Sequence, residues 1–330
     1  MAGPEASEQP GPGRPPRVVA VLGPTASGKT ALALDLARRL GGVEILCCDS
    51  MQVYRGMDIG TAKPTAAERR EVPHHLLDLV DPGEPFHAAA WAARAREVIR
   101  VVTTSPASTT PSGRPGRRLP LVVGGTGLYF RALVRGLFDA PPSDPQIRAR
   151  HQAEADAAGP ESLHRRLTAV DPEAAARLAP ADVVRVSRAL EVYEQTGLPL
   201  TELHRRGAPA APLEVFTIVL EPPLPALRTR IEERVAAMME AGFLDEVRAL
   251  RAAGHGGSRA LQAIGYRELG RHLDGELSLD DAVTELRQAT VDYARRQRTW
   301  FRKEDARLRL ATPPDAAALA ADITAWRLQS

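Results

Sequence analysis

The segment GPTASGKT at residues 23–30 has the residue types and spacing of a phosphate-binding loop. Its glycines let backbone N–H groups point at phosphate oxygens, Lys29 adds a positive charge, and the Thr30 hydroxyl can ligate Mg²⁺. An apolar segment precedes the loop and a helical pattern follows it, which is the context that a P-loop requires. The sequence therefore predicts a phosphate site and leaves its ligand open between ATP and another phosphate compound.

Two further segments place candidate side chains directly after apolar stretches. Asp49 follows residues 43–48, where its carboxylate can hold Mg²⁺ through water, act as a general base, or cap the next turn. Thr126, in GGTGLY, follows residues 119–123 and can contact a ligand or cap a turn or helix. The second stretch ends in Gly-Gly and supplies no Walker-B acid, which argues against triphosphate hydrolysis.

An α/β fold would bring these segments together. Short apolar segments predict strands at residues 17–22, 43–48, 76–79, 119–123 and 215–220. Helical patterns alternate with these strands, which indicates a parallel sheet flanked by helices. Ligands bind such sheets beyond the carboxyl ends of the strands. We therefore expect a P-loop NTPase-like core in which the loop, Asp49 and Thr126 share one cleft.

The pattern changes at PPSD, residues 141–144, and is then helical throughout to about residue 207. This predicts a small all-helical insertion within the α/β core. A stretch rich in Ser, Thr, Pro and Gly interrupts the first part of the core and predicts a flexible loop. The predicted order is a disordered leader, the first part of the core, its loop, the insertion and the completion of the core, at residues 1–16, 17–143, 103–118, 144–207 and 208–330.

The composition limits the possible partners and compartment. Lys and Arg total 43 against 41 Asp and Glu, a formal charge of +2, so a nucleic-acid site must come from local clustering. Cys47 and Cys48 are the only cysteines, and they cannot form a disulfide framework or a four-ligand zinc site. Without a bilayer-length apolar stretch or a signal peptide, we expect a cytoplasmic monomer that binds no membrane.

Basic residues cluster on two predicted helices, at Arg185 and Arg188 in the insertion and at Arg295, Arg296, Arg298, Arg302 and Lys303 near the C-terminus. Either group alone is typical of a solvated helix face. Two such groups around a phosphate cleft favour a polyanionic partner. Aromatic residues make up 4% of the chain, which favours a pocket for one extruded base over a broad stacking platform.

A series of segments resembles the tRNA dimethylallyltransferases, or tRNA isopentenyltransferases, of the bacterial type. In order they are GPTASGKT, DSMQVYRGMDIGTAKP, VPHHLLDLVDP, LVVGGTGLYF, SRALEVYEQTG, RIEERVAAMMEAGFLDEV, AIGYRE and RRQRTWFRK. The second is the most distinctive. The resemblance implies transfer of a dimethylallyl group from dimethylallyl diphosphate to N6 of adenosine 37 in tRNA, with release of pyrophosphate and with Mg²⁺ as cofactor.

The resemblance also implies catalytic roles. Asp49 would be the base that takes a proton from the adenine amine, and Thr126 would orient the adenine. Arg234 would neutralise the leaving diphosphate, and Thr30 would hold Mg²⁺. The diphosphate would be bound by Gly23, Pro24, Thr25, Ala26, Ser27, Gly28, Lys29, Thr30 and Arg230.

Contacts with tRNA are expected from several segments. The resemblance implies them for Asp49, Ser50, Met51, Gln52, Arg148, Arg185, Ser187, Arg188, Gln262, Gly265, Tyr266 and Arg267. The C-terminal basic cluster adds Arg295 and Arg298. Two other functions are weighed against this one. The P-loop alone also fits a small-molecule or nucleoside kinase, and the basic helices also fit an RNA-binding P-loop protein without catalysis.

Overall fold

The computed structural model describes residues 15–105, 108–109, 115–116, 118–137, 141–206, 210–312 and 315–329. The predicted leader lies outside the described residues except for its last two. The chain divides into two compact units, one of residues 135–211 and the other of the remaining residues, called here the helical unit and the core unit. The insertion boundaries predicted from the sequence, 144 and 207, fall inside the helical unit.

The core unit is built on parallel strands. Its strands are β1 (Arg17–Leu22), β2 (Val43–Cys48), β3 (His74–His75), β6 (Leu119–Gly124), β7 (Glu214–Leu220) and β8 (Leu308–Leu310), and the small ladder consists of β4 (Ser108–Thr109) and β5 (Pro115–Gly116). Within the described residues the main sheet has the order β3-β2-β6-β1-β7-β8. Strands β1 and β6 are neighbours in register, with Val19 opposite Leu121. The carboxyl ends of β1, β2 and β6 therefore lie side by side.

Helices cover both faces of this sheet. The core-unit helices are α1 (Lys29–Leu40), α2 (Ala66–Glu71), α3 (Ala88–Thr104), α4 (Gly127–Arg135), α10 (Leu224–Glu240), α11 (Phe243–Leu250), α12 (Tyr266–Leu273), α13 (Leu279–Phe301) and α14 (Ala316–Leu328). One buried cluster packs α1 and α14 against the sheet, and the other packs α3, α4 and α10 to α13. The predicted α/β class with helices flanking a parallel sheet is confirmed.

The prediction of a strand at residues 76–79 is wrong, because the strand is formed by His74 and His75 instead. Leu76 and Asp78 have φ angles of 68° and 53°, in the left-handed region that an extended strand excludes. The predicted loop at 103–118 is regular where it is described, since α3 continues to Thr104 and β4 pairs with β5. The rest of that loop lies outside the described residues, apart from residues 105 and 118.

The helical unit has a small core of its own. It consists of α5 (Pro145–Ala158), α6 (Pro160–Val170), α7 (Pro172–Arg177), α8 (Val183–Thr196) and α9 (Leu200–Arg206). Aspartate side chains cap three of these helices, Asp144 for α5, Asp171 for α7 and Asp182 for α8. Buried leucines, valines and alanines from α5, α6, α7 and α8 form its hydrophobic cluster.

Candidate active site

The loop between β1 and α1 has the backbone of a phosphate site. Gly28 has a φ of 92°, in the left-handed region, and directly precedes the first residue of α1. Gly23 lies so close to β7 that an added Cβ would be 2.5 Å from the Leu220 carbonyl oxygen. No side chain of the described residues caps the N-terminus of α1, so its first N–H groups remain available to an anion.

Lys29 is half-buried and has no carboxylate partner. Its Nζ donates to the Pro24 carbonyl at 2.6 Å, and no acidic group of the described residues lies within 4.0 Å of it. Burial, and secondly the nearby Arg234 guanidinium, lower the pKa of Lys29 to about 7. Burial also lowers the pKa of Arg234, which likewise forms no ion pair with a described residue. Neither cation has an ion-pair partner among the described residues, and the Asp49 carboxylate, which favours the charge of both, offsets burial only in part. A phosphate or diphosphate would supply the negative charge that the two cations lack at close range.

Asp49 follows β2 and caps the turn after it. Its Oδ1 accepts hydrogen bonds from the backbone N–H groups of Met51 at 2.8 Å and Gln52 at 3.3 Å. Within the described part of the chain, no donor reaches Oδ2. The capping role considered from the sequence is therefore real, and it leaves the second carboxylate oxygen open to act on a ligand.

Thr126 lies at the end of β6 and joins the two strand ends. Its Oγ1 accepts the Ser50 N–H at 3.0 Å, and its own N–H donates to the Cys48 carbonyl at 3.2 Å. The flanking glycines are required by packing, because a Cβ at Gly124 would be 2.0 Å from the Cys48 carbonyl oxygen and one at Gly127 would be 2.0 Å from Trp300 Nε1. Thr126 thus fixes the segment that follows Asp49.

The distinctive segment after Asp49 is anchored by Glu246, which the sequence analysis did not identify. Its carboxylate accepts three successive backbone N–H groups, from Asp58 at 2.9 Å, Ile59 at 2.7 Å and Gly60 at 3.1 Å, and the Tyr266 hydroxyl at 2.6 Å. Since Glu246 lies on α11, only the folded chain brings it to this loop. Glu246 therefore holds one wall of the site in place.

Lys63 holds the same segment from its other end. Its buried Nζ donates to the Asp58 carboxylate at 2.7 Å and to the Asp78 carboxylate at 2.5 Å. Between these anchors, Gln52 Nε2 donates to the Thr61 carbonyl at 3.1 Å. Glu246 and the buried Lys63 therefore hold this wall of the site in place from two sides.

Gln297 on α13 is a second site residue that sequence reasoning missed. Its Oε1 accepts the Thr25 N–H at 2.8 Å, and its Nε2 donates to the Gly125 carbonyl at 2.8 Å. The buried side chain thereby joins the phosphate loop to the end of β6. One turn earlier on α13, burial and secondly the Asp49 carboxylate raise the pKa of Tyr293, which stays protonated beside Thr126.

A cavity of about 400 Å³ in the core unit brings part of the predicted site together. The predicted residues that line it are Thr25, Lys29, Thr30, Asp49, Ser50, Met51, Gln52, Arg234, Gln262 and Tyr266. Gln297, Tyr293 and Arg296 line it in addition. The predicted residues of the core unit that do not line it are Gly23, Pro24, Ala26, Ser27, Gly28, Thr126, Arg230, Gly265, Arg267, Arg295 and Arg298.

The predicted tRNA residues of the helical unit are largely engaged with acids. Arg148 and Arg188 both bind the buried Glu191, at 3.3 Å and 2.7 Å. Burial disfavours the charge of Glu191, but the Arg188 hydrogen bond and the other polar contacts outweigh it and lower the pKa. Arg185 is 73% exposed beside Asp182. Ser187 is buried against His151, with 2.9 Å between Oγ and Nδ1, so its contact with tRNA stays a prediction.

The predicted tRNA residues of α12 and α13 differ in exposure. Tyr266 is buried and bonded to Glu246, whereas Arg267 is exposed and bonded to Glu268. Arg295 is exposed and pairs with Asp292 at 2.8 Å. Arg298 is half-buried, and its Nε has no hydrogen-bond partner among the described residues. None of these positions is tested as a tRNA contact by the geometry, so all four remain predictions.

The fold and the site together define a class of protein. The core is a parallel α/β sheet with a P-loop pattern after β1 and a carboxylate, Asp49, after β2. Asp49 and two cations without ion-pair partners among the described residues line a cavity that is large enough for an organic ligand. This is the architecture of an α/β protein of the P-loop type. None of the helices in the described part of the chain is both long and apolar enough to span a membrane.

Comparison with known proteins identifies the family. Residues 52–304 match the model of the family described as IPP transferase, and residues 16–78 match that of isopentenyl transferase. The chain belongs to the IPP transferase family. It is 50% identical over 289 residues to the tRNA dimethylallyltransferase of Syntrophobacter fumaroxidans, covering 87% of this chain and 81% of the relative. It is also 50% identical over 305 residues to that of Anaeromyxobacter sp. strain K, covering 92% and 96%.

Solved structures agree with this assignment. The tRNA isopentenylpyrophosphate transferase of Bacillus halodurans is similar with a TM-score of 0.64 and 37% identity, over 94% of this chain and 95% of that one. A eukaryotic dimethylallyltransferase described as acting on tRNA is similar with a TM-score of 0.68 and 25% identity, over 95% and 76%. The resemblance recognised in the sequence and the P-loop-like core are confirmed.

Proposed function

We propose that this protein transfers a dimethylallyl group from dimethylallyl diphosphate to N6 of adenosine 37 in tRNA and releases pyrophosphate. The relatives named tRNA dimethylallyltransferase support the reaction class. The observation that carries the proposal is the pair of unpaired cations, Lys29 and Arg234, facing the same cavity as Asp49. The cations suit a diphosphate, and the carboxylate suits the removal of a proton from the attacking amine.

The reaction exchanges one bond at the prenyl group. The N6 nitrogen forms a bond to C1 of the dimethylallyl group while the bond from C1 to the diphosphate oxygen breaks, and its electron pair leaves with the diphosphate. The N6 proton passes to the open Oδ2 of Asp49. Lys29, Arg234 and the N–H groups at the start of α1 stabilise the charge that develops on the leaving diphosphate.

Lys29 and Arg234 are suited to stabilising the leaving diphosphate, because the positive charge of Arg234 disfavours that of Lys29 until an anion binds. In the free site, burial and secondly Arg234 lower the pKa of Lys29 to about 7, although the Asp49 carboxylate favours the charged form. A diphosphate reverses both effects, because its negative charge favours the protonated amine. The binding of the donor therefore restores the full charge that the leaving group needs.

The donor set of the cavity fits Mg²⁺. The Thr30 hydroxyl and the Asp49 carboxylate both line it, and hard oxygen ligands are those that Mg²⁺ prefers. The described residues hold no cluster of three or more acidic, histidine or cysteine side chains that would cage a metal by themselves. We propose that Thr30 holds the ion, which supplies additional charge neutralisation for the diphosphate when it is bound.

The acceptor fits the cavity as a single extruded base. A cavity of about 400 Å³ has room for one base and a short prenyl diphosphate but not for a duplex. Gln52 and Met51 line the wall next to Asp49, where the adenine amine must lie. We propose contacts with the surrounding tRNA from the exposed basic residues of α8 and α13.

We also propose that the active form is a cytoplasmic monomer. Light scattering of the pure protein would test the monomeric state.

The proposal is tested by mass spectrometry of nucleosides from unmodified tRNA incubated with the protein and Mg²⁺. Parallel reactions contain dimethylallyl diphosphate, ATP, or no donor. We expect N6-dimethylallyladenosine only with the prenyl donor, and none with a tRNA that carries guanosine at position 37. Phosphate transfer from ATP without prenyl transfer would instead support a kinase. Tight tRNA binding without any product would support an RNA-binding protein without catalysis.

A further inference from the structure

Gln297 occupies one end of the phosphate loop. Its side chain is buried, it lines the cavity together with Thr25 and Lys29, and its Oε1 accepts the Thr25 N–H at 2.8 Å. The Thr25 N–H therefore points at a side chain of the protein rather than into open space. This arrangement removes one backbone donor from the set that the loop can offer to phosphate oxygens.

The orientation of the Gln297 amide is fixed by its partners. A backbone N–H can only donate and a carbonyl oxygen can only accept, so Oε1 must face Thr25 and Nε2 must face Gly125. Both polar ends of the side chain are satisfied. A Cβ at residue 125 would be 2.3 Å from Nε2, so the glycine there is required for Gln297 to enter.

Loops of this type in nucleoside triphosphate sites use their backbone N–H groups and their lysine to hold successive phosphates. In this protein, the lysine and the start of α1 remain open to phosphate, whereas the Thr25 side of the loop is closed by Gln297. A ligand that needs N–H donors along the whole loop therefore finds the Thr25 N–H already bonded to Gln297. A ligand that needs only the Lys29 side does not.

We propose that Gln297 determines specificity by limiting the phosphate site to two phosphoryl groups. Its side chain accepts the Thr25 N–H and fills the space that a third phosphoryl group would use. A prenyl diphosphate is therefore admitted, and a nucleoside triphosphate is disfavoured. The inference rests on the proposed function, because it takes a diphosphate to be the ligand of the loop. It explains how a loop with an ATP-binding pattern serves a different phosphate compound.

The test is calorimetric titration of the wild-type protein and of Gln297→Ala with pyrophosphate and with inorganic triphosphate, both with Mg²⁺. We expect the wild type to bind pyrophosphate at least about tenfold more tightly than triphosphate. In Gln297→Ala the ratio of the two dissociation constants should shift toward triphosphate by at least about tenfold, because the Thr25 N–H and the adjacent space become available. A merely structural role would weaken the binding of both anions equally and leave the ratio unchanged.

Two further variants keep the test decisive. Gln288→Ala removes an exposed glutamine of the same helix, whose side chain donates to Asp292 at 3.0 Å, and should leave the ratio unchanged. Gln297→Asn shortens the side chain by one methylene and should shift the ratio of dissociation constants in the same direction as Gln297→Ala, but by a smaller factor. It replaces Gln297→Ala in the test if circular dichroism shows that the alanine variant does not fold.

The outcomes separate this inference from the proposed function. An unchanged ratio in the folded Gln297 variants, or a wild type that binds both anions equally, overturns the inference and leaves the prenyl transfer intact. A wild type that binds neither anion contradicts the diphosphate site and the inference together. A shift confined to the Gln297 variants supports it.

Discussion

Two predicted basic residues of the helical unit and two of the core unit differ in their ion pairing. In the helical unit, Arg148 and Arg188 both bind the buried Glu191. In the core unit, Lys29 and Arg234 lie next to each other, and neither forms an ion pair with a described residue. Both cations are half-buried, and the Asp49 carboxylate offsets the cost of their burial only in part, so a bound anion would stabilise them further. Cations that lack ion-pair partners, rather than a high density of basic residues in the sequence, therefore mark the candidate ligand site.

Among the variants that compare the two units, removal of an unpaired cation should have the largest effect. Arg234→Met and Lys29→Met should each lower kcat/KM for dimethylallyl diphosphate by about 100- to 1,000-fold, because the leaving diphosphate loses a charge that stabilises it. The matched variant Arg188→Met removes a paired arginine and should change this parameter by less than about threefold. Steady-state kinetics at saturating tRNA measures both. Equal losses of kcat/KM in Arg188→Met and Arg234→Met would contradict a special role of the unpaired cations.

The affinity of the core-unit site for diphosphate should depend on pH. Because the pKa of Lys29 is lowered to about 7, the amine of the free site loses its proton as the pH rises above 7. Diphosphate binds the charged form, so its affinity should fall with rising pH above 7, by at most about tenfold per pH unit. In Arg234→Met the repulsion is removed, the pKa of Lys29 rises, and the fall should begin at higher pH.

Calorimetric titrations with pyrophosphate at several pH values test this, and the ionisation of pyrophosphate itself cancels when the two proteins are compared at the same pH. Identical pH profiles for the wild type and Arg234→Met would show that Arg234 does not act on Lys29.

A smaller effect is expected on the electrostatic binding of tRNA. Arg298 forms no ion pair with a described residue, whereas Arg150 in the helical unit pairs with Glu194 at 2.8 Å. Arg298→Ala should therefore reduce the slope of log affinity against log salt by about 0.7 to 0.9, the value of one phosphate contact, and Arg150→Ala should not. Filter binding between low and moderate salt measures the slopes. An unchanged slope for Arg298→Ala would exclude a phosphate contact there.

Local patterns in the sequence predicted the parts of the fold that depend on neighbours in the chain. Strands β1 and β2 have the predicted bounds because their apolar, β-branched residues are buried along their whole length. The phosphate loop and Asp49 were found because each follows such a strand. The strand predicted at 76–79 failed because left-handed residues at Leu76 and Asp78 cannot be recognised from apolar character alone.

The rest of the site depends on contacts between distant segments. Gln297 bonds a carbonyl 172 residues away, and Glu246 bonds amides 186 to 188 residues away. Gln297 and Glu246 both lie on helices, and the spacing of apolar residues that predicts a helix does not predict these distant hydrogen-bond partners. The same holds for the pairing of Arg148 and Arg188 with Glu191, which decides whether a basic cluster in the sequence is free to bind an anion.

The most direct test of the account is the single-turnover rate of prenyl transfer in Asp49→Asn. Asparagine keeps the oxygen that accepts the Met51 N–H and so preserves the turn, but it cannot take the N6 proton. With the tRNA and the donor bound, we predict a rate lower by about 100- to 10,000-fold than that of the wild type, with a tRNA dissociation constant changed by less than about threefold. A near-normal rate, or equal losses in rate and tRNA affinity, would contradict the role of Asp49 as the base of this site.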